Sequence, residues 1–343
     1  MYRHENVLIS ATHNHSAAGG FLQYFSYLAS SLGFVDDTFQ AYRRGIVKSI
    51  VRAHESARPD RVYLTAGELR DASVNRSPTA YALNPAEERA LYDDDVDREF
   101  TQLVVLSADD DGAPIGAINW FAVHGVSMLN TNDLISSDNK GWASVMLEKS
   151  VNPAGAPVGE GPFVAAFASS NLGDVSPNLS GAFCLDPDQT CDPVTNTCGA
   201  GGSLFRYEPC YAVGPGGADM FESTRVIAER QFDKARELFD DVGGYAEVTG
   251  PVRFVHQFVD MENRTVTLDD GSTARTCTAA MGYSMWAGPV DGPTGQMPQA
   301  ETEHRPFVDG VTELLFTPPT PEQEECHLPK GPSINDVKKT CGF

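Results

Sequence analysis

Short apolar runs separated by turn residues, interleaved with stretches of three-and-four periodicity, set the pattern of this chain. Asn6-Val7-Leu8-Ile9-Ser10-Ala11 reads as a short buried strand that runs straight into Thr12-His13-Asn14-His15. Over residues 36–53, Phe39, Tyr42, Ile46, Val47, Ile50 and Val51 recur at helical intervals, and Asp37 with Gln40 resembles a capping box, so an amphipathic helix is predicted. A strand at Arg61–Leu64 follows the Pro59-Asp60 turn, and residues 72–98 read as acidic loop. Gln102–Ser107 and Ile115–Val123 are two further strands; the Asp109-Asp110-Asp111-Gly112 turn between them predicts an antiparallel hairpin. A helix near 140–150 precedes the apolar strand Phe163–Ala168. Phe221, Thr224, Ala228, Phe232, Ala235, Leu238 and Phe239 then mark a second long helix.

From about residue 287 the pattern changes. Nine prolines fall between Pro289 and Pro332 and no long periodic segment appears, so residues 287–343 read as an irregular arm attached to a folding core of residues 1–286. Strands alternating with helices, plus a hairpin, predict an α/β fold with mixed sheets and flanking helices.

Composition narrows the function classes. The 343 residues are 41% hydrophobic, enough for a sizeable core and too many for a disordered chain. No apolar run reaches the ~18 residues that a membrane-spanning helix needs. With 25 Lys+Arg against 47 Asp+Glu, the formal charge of -22 would repel phosphate backbones, which excludes nucleic acid as an electrostatic partner. Four of the seven cysteines, Cys184, Cys191, Cys198 and Cys210, lie in one polar, loop-like stretch. Their spacing matches no CxxC zinc knuckle, so a disulfide-stapled loop and an oxidising compartment are expected. Met1-Tyr2-Arg3-His4-Glu5-Asn6 is no signal peptide, since no apolar stretch follows the basic residue; for a chain of secreted type, this predicts a missing front end.

Candidate chemistry sits at strand ends. His13 and His15 are two residues apart, a spacing that on a strand puts both imidazoles on one face. Such a pair suits one metal ion, or one ligand beside an acid/base or oxyanion donor; alone it fits a structural pair equally well. Ser16-Ala17-Ala18-Gly19-Gly20 next to it is a small-residue turn with room for a substrate. His124 ends the strand Ile118–Val123, and could share zinc with His13 if the two strand ends are neighbours, although catalytic zinc usually takes three protein ligands. Gly173 and Pro177 bracket a turn that would present Ser176, a possible nucleophile outside any G-x-S-x-G elbow; as a bare pattern it also fits a turn and cap. Arg76, in Asn75-Arg76-Ser77, suits an oxyanion or a plain surface charge. These parts are compatible with metal-assisted hydrolysis.

Several segments, in order along nearly the whole chain, resemble the neutral (non-lysosomal) ceramidase family. They are Ser10-Ala11-Thr12-His13-Asn14-His15-Ser16, Glu68–Ser73 with Asn75-Arg76-Ser77, Trp120-Phe121-Ala122-Val123-His124, Ile135–Gly141, Ala168–Asn178, Gly216–Glu222 and Cys277–Gly282. The resemblance implies a zinc amidase that hydrolyses the N-acyl bond of ceramide, presented at a membrane surface or in micelles, to a sphingoid base and a fatty acid. It implies His13 and His124 as zinc ligands, His15 and Arg76 beside the scissile amide, and Ser176 as nucleophile. A zinc-bound hydroxide positioned by Ser176 is the other route. It also implies the pairs Cys184–Cys198, Cys191–Cys210 and Cys277–Cys326, with Cys341 left over, and a secreted, extracellular or periplasmic location.

The chain departs from the family pattern at Asn14, where Thr is usual, and at Ala17-Ala18, where Gly-Pro is common; neither position is a ligand. By the same resemblance, family members begin earlier and continue into a segment that supplies a Glu and a Tyr to the zinc, then into an immunoglobulin-like domain. No such residues are assigned here, neither Glu303 nor Tyr283. A truncated catalytic domain holding zinc weakly through His13 and His124, and poorly soluble in isolation, is therefore expected. The alternatives are an inactive ceramidase-like fragment that binds sphingolipid without turnover, and a zinc amidohydrolase acting on another N-acyl lipid.

Overall fold

The computed structural model describes residues 2–23, 28, 31–109, 111–184, 186–192, 197–199, 210–283, 285, 288–291, 309–310, 317–328 and 330–334. Cys341 and Glu303, and most of the 287–343 arm, lie outside the described residues.

In chain order the first elements are α1 (Asp36–Glu55), β1 (Asp60–Glu68), β2 (Val74–Asn75), β3 (Glu99–Ser107), β4 (Pro114–Phe121), α2 (Asp138–Val151), β5 (Val164–Ala168) and β6 (Val175–Ser176). Short strands β7 (Ala182–Phe183), β8 (Cys191–Asp192), β9 (Thr197–Cys198) and β10 (Tyr211–Ala212) follow, then α3 (Met220–Asp240) and β11 (Glu247–Val248). After them come β12 (Thr265–Thr267), β13 (Thr273–Arg275), β14 (Met281–Gly282), α4 (Pro321–His327) and β15 (Pro332–Ile334).

The main sheet has the order β11-β1-β3-β4-β5. The predicted hairpin is its centre: β3 pairs antiparallel with β4, Phe100 opposite Phe121 and Leu103 opposite Ile118. Strand β1 runs to Glu68, longer than the predicted Arg61–Leu64, because it pairs with β3 along its full length, Asp60 opposite Ser107 and Glu68 opposite Glu99. Strand β5 joins β4 in parallel through the α2 crossover, so the sheet is mixed and the fold is α/β with flanking helices.

Period-two burial in β3 sends Phe100, Gln102 and Val104 to one face, where α3 covers them. Leu147 from α2, Ile227, Ala235 and Leu238 from α3, and Phe121, Phe163 and Phe167 from the sheet complete the core. Helix α3 starts where the Asp219 carboxylate accepts from the N–H groups of Phe221 and Glu222. The loop after β6 is stapled by Cys184–Cys198 and Cys191–Cys210, and Cys277–Cys326 ties α4 back to the chain ahead of β14.

Two sequence expectations fail. Residues 6–11 form no strand: Leu8 is 93% exposed and Ile9 65%, because no sheet edge pairs with this segment and an isolated apolar run gains no burial by extending. Helix α1 forms, but none of its residues is buried, and the capping box is absent; the Gln40 amide donates to Asp36 Oδ1 at 3.2 Å, within the helix. Of its apolar stripe, Phe39 and Tyr42 touch the rings of Phe34 and Phe21 near the start of the helix, while Val47 stays 51% exposed.

Candidate metal and hydrolytic site

The two histidine motifs meet where residues 13–15 run beside the end of β4. Asn14 and Gly125 form an isolated parallel bridge, and His15 donates its N–H to the Gly125 carbonyl at 3.1 Å. The approach is close enough to require glycine: a Cβ at 125 would stand 2.9 Å from the His13 carbonyl oxygen and 3.1 Å from Asn14 Cα. On the other side the Asn14 amide donates to the Ser136 carbonyl at 2.6 Å, and Ser136 N–H donates to the Ser16 carbonyl at 2.9 Å. The segment is thus strapped between two loops.

The three imidazoles converge. Ring centroids are 4.9 Å apart for His13 and His15, 4.5 Å for His13 and His124, and 5.4 Å for His15 and His124. One ring nitrogen from each lies within 4.8 Å of the others. The convergence does not arise as the sequence predicts. His13 has φ 56°, a left-handed conformation, so the pair is aimed by a kinked loop rather than by strand alternation.

His124 is buried. Its Nδ1 lies 2.7 Å from the Leu172 carbonyl, which fixes the proton there and leaves Nε2 as a lone pair. That Nε2 is buried without a hydrogen-bond partner. An orphaned lone pair facing two further imidazoles is a donor set for a borderline divalent cation such as zinc, with the carbonyl contact as the outer support that metal-bound histidines usually have. Burial, the Arg76 charge and His13 push the His124 pKa down to about 4, and burial followed by Arg76 lowers that of His13. His15 is lowered by burial, His13 and Arg76, against Asp291 and Asp138. All three favour the neutral, ligating form.

Behind His124 lies a buried polar network. Asn139 donates to the His124 carbonyl and to Ser127 Oγ, both at 3.0 Å, and accepts from Gln231 at 3.1 Å. Lys140, entirely buried, donates to the Phe121 carbonyl at 3.0 Å and to Gln231 Oε1 at 3.2 Å. Asp138, at φ 52°, accepts from the N–H groups of Ser127 at 3.2 Å and Met128 at 3.0 Å. The residues before α2 therefore fix the loop that carries His124.

Ser176 and Arg76 belong to the same neighbourhood. Strand β2 pairs with β6, Val74 opposite Ser176, and Arg76 donates its N–H to the Asp174 carbonyl at 2.8 Å. Ser176 is not displayed on an exposed turn, as the Gly173 and Pro177 spacing predicts. Pairing with β2 draws it inside, where it is fully buried and its hydroxyl accepts from Asn178 N–H at 3.0 Å. Arg76 Nε donates to the Gly173 carbonyl at 3.0 Å, and its guanidinium lies 3.8 Å from Asp291.

Asp291 comes from the Pro-rich arm and carries no signal of its own in the sequence beyond a Gly-Pro-Val-Asp-Gly-Pro turn. Val290 donates to the Arg76 carbonyl at 2.9 Å and accepts from Ala212 N–H at 3.0 Å, which threads the arm beside β2. Gln231 is the other residue that the sequence reading passes over, although its place between Ala228 and Ala235 on the buried stripe of α3 is a detectable break in the apolar pattern.

Next to the Ser136–Asp138 strap an open cavity of ≈ 370 Å³ is lined by Met128, Leu134, Ile135, Trp142 and Phe221. Its walls are mostly apolar side chains with large exposed surfaces, Ile135 79% and Phe221 53%.

Comparison with known proteins agrees with this arrangement. Residues 1–340 match the family described as neutral/alkaline non-lysosomal ceramidase, N-terminal. Neutral ceramidase B of Dictyostelium discoideum is 45% identical over 98% of this chain and 46% of its own length; neutral ceramidase of Drosophila melanogaster is 43% identical over 96% and 47%. The crystal structure of neutral ceramidase from Pseudomonas aeruginosa superposes with a TM-score of 0.63 at 35% identity, covering 95% of this chain and 43% of that one. A ceramidase complexed with C2 gives 0.66, also at 35%, over 96% and 45%. The chain spans about half the length of the curated relatives it matches. With three converging histidines, a neighbouring arginine and serine, and this degree of likeness over its whole length, the chain belongs to the neutral/alkaline non-lysosomal ceramidase family.

Proposed function

We propose that the protein acts in zinc-dependent hydrolysis of the N-acyl bond of ceramide, releasing a sphingoid base and a fatty acid. The observation that carries the reading is the cluster of His13, His15 and His124 with the orphaned, buried Nε2 of His124 at its centre, in a chain of ceramidase ancestry. His13 and His124 are the ligands in this reading, and zinc, when bound, supplies a Lewis acid for the scissile carbonyl. His15 and Arg76 are the donors for the developing oxyanion and the departing amine. Ser176 supplies the nucleophilic hydroxyl; because its side chain is fully buried, attack requires the substrate to open the site first. The apolar cavity beside Ser136–Asp138 suits one alkyl chain of a lipid delivered from a membrane surface or micelle. Three disulfides support an oxidising location, secreted, extracellular or periplasmic.

The test is zinc content and hydrolysis of a short-chain ceramide on the same preparation, before and after chelation. Zinc-dependent turnover that is lost in His124→Ala and in Ser176→Ala bears the reading out. Cleavage that survives chelation overturns the zinc assignment, and hydrolysis of other N-acyl lipids but not ceramide overturns the substrate.

A further inference from the structure

We propose that Asp291 is a positioning residue of this site, its carboxylate holding the Arg76 guanidinium in place. The inference rests on the hydrolytic reading above. Asp291 approaches from the far end of the chain, on a segment fixed by Val290 to the Arg76 carbonyl and to Ala212. Its side chain is 2% exposed against 22% for Arg76, so the carboxylate lies beneath the guanidinium with the two charges 3.8 Å apart. Ser176 lies near enough to the same carboxyl to favour its charged form, while its own oxygen accepts from Asn178 N–H. One buried carboxylate therefore pairs with the arginine assigned to catalysis.

The arrangement has an electrostatic logic. Arg76 acts on all three histidines, lowering each, and a divalent ion bound there would add to the local positive charge. A buried carboxylate next to the guanidinium offsets that charge and keeps the arginine at the site. Burying the carboxylate costs solvation, Oδ2 being buried without a hydrogen-bond partner, and the Arg76 charge 3.8 Å from Oδ1 offsets part of that cost. Burial raises the Asp291 pKa, opposed by Ser176 and Arg76.

The experiment is a double-mutant cycle on ceramide hydrolysis by the full chain, combining Asp291→Asn with Arg76→Lys and reading kcat, KM and zinc content. Asp291→Asn is expected to lower kcat about 100-fold with KM and zinc content unchanged, as for misplaced catalytic groups. In the Arg76→Lys background the same change is expected to cost less than threefold, because the residue acts through a partner already displaced. Asp291→Glu, which keeps the carboxylate, is expected to recover at least tenfold over Asp291→Asn. A folded Asp291→Asn protein with near-wild-type kcat overturns the proposal, as does full additivity of the two losses. Should Asp291→Asn fail to fold, a folded Asp291→Glu protein within tenfold of wild type supports the proposal, and one no better than Arg76→Lys overturns it. If wild type does not hydrolyse ceramide, it is the functional reading that fails. The role of Asp291 is then read from serine labelling by a fluorophosphonate, expected to slow at least tenfold in Asp291→Asn and unchanged if the proposal is wrong.

Discussion

Gly125 shows how narrow the tolerances are at single positions. A methyl group there would meet the His13 carbonyl oxygen and Asn14 Cα, both backbone atoms that move only with the loop. Gly125→Ala is therefore expected to separate His13 and His15 from His124. Zinc retention measured after gel filtration should fall at least tenfold while the far-UV circular dichroism of the core stays unchanged; undiminished zinc would show that the loop gives way elsewhere. Lys140 makes a different prediction. Its ammonium is entirely buried with no carboxylate in hydrogen-bond contact among the described residues, and burial pushes its pKa down to about 7. Between pH 7 and the ordinary lysine value of 10.5 the unfolded chain binds more protons than the folded one, so stability should rise with pH across that window. The gain is on the order of a few kcal/mol. Urea melts at pH 7 and pH 10 check it, with Lys140→Met as the reference from which this slope should be missing.

At the scale of elements, helix α1 and helix α3 form an instructive pair. Both have helical periodicity in the sequence, yet α3 buries Ile227, Ala228, Ala235 and Leu238 while α1 buries nothing. Ile227→Ala should cost about 2–5 kcal/mol, and Val47→Ala on α1 less than about 0.5 kcal/mol, both read from denaturant midpoints. Equal costs would mean that α1 is covered in solution. The same contrast explains what the sequence could and could not disclose. Periodicity reports which residues suit an interface, so the β3–β4 hairpin, α2, β5 and α3 were legible to within a few residues, whereas burial of residues 6–11 depended on a sheet partner that periodicity does not reveal. The histidines were legible by residue type and by the resemblance of their segments to a family, not by spacing, since the strand expected to aim His13 and His15 does not form. Asp291 was not, since a carboxylate in a Pro-rich turn has no pattern until the arm is threaded beside β2. Near the strap at Ser136, the cavity wall is a further test. Ile135→Asp should raise KM for long-chain ceramide at least fivefold and leave a short, soluble amide substrate unaffected.

Across the whole molecule, apolar surface and the dispersal of the site are the two features that govern behaviour. Residues 251–260 have no regular structure, and Val252, Phe254, Val255 and Phe258 stand exposed, the last at 94%. Exposed apolar side chains clustered in this way, even with Arg253, His256 and Gln257 among them, favour association. Light scattering should therefore find oligomers in plain buffer that dissociate in mild detergent, and Phe254→Ser with Phe258→Ser should yield monomer in buffer. A wild-type monomer without detergent would contradict this. The site itself draws residue 13 from near the start of the chain, 76 from the β1–β3 connection, 124 from the end of β4, 176 from beyond β5 and 291 from the arm. No short stretch contains two of these parts except the His13–His15 pair, so every loop between them must close before the whole site exists. The consequence is temporal. A ribosome has to release nearly all of this chain before the site can assemble, which makes it one of the last features to appear during synthesis and one of the first lost when the chain is cut anywhere between those residues.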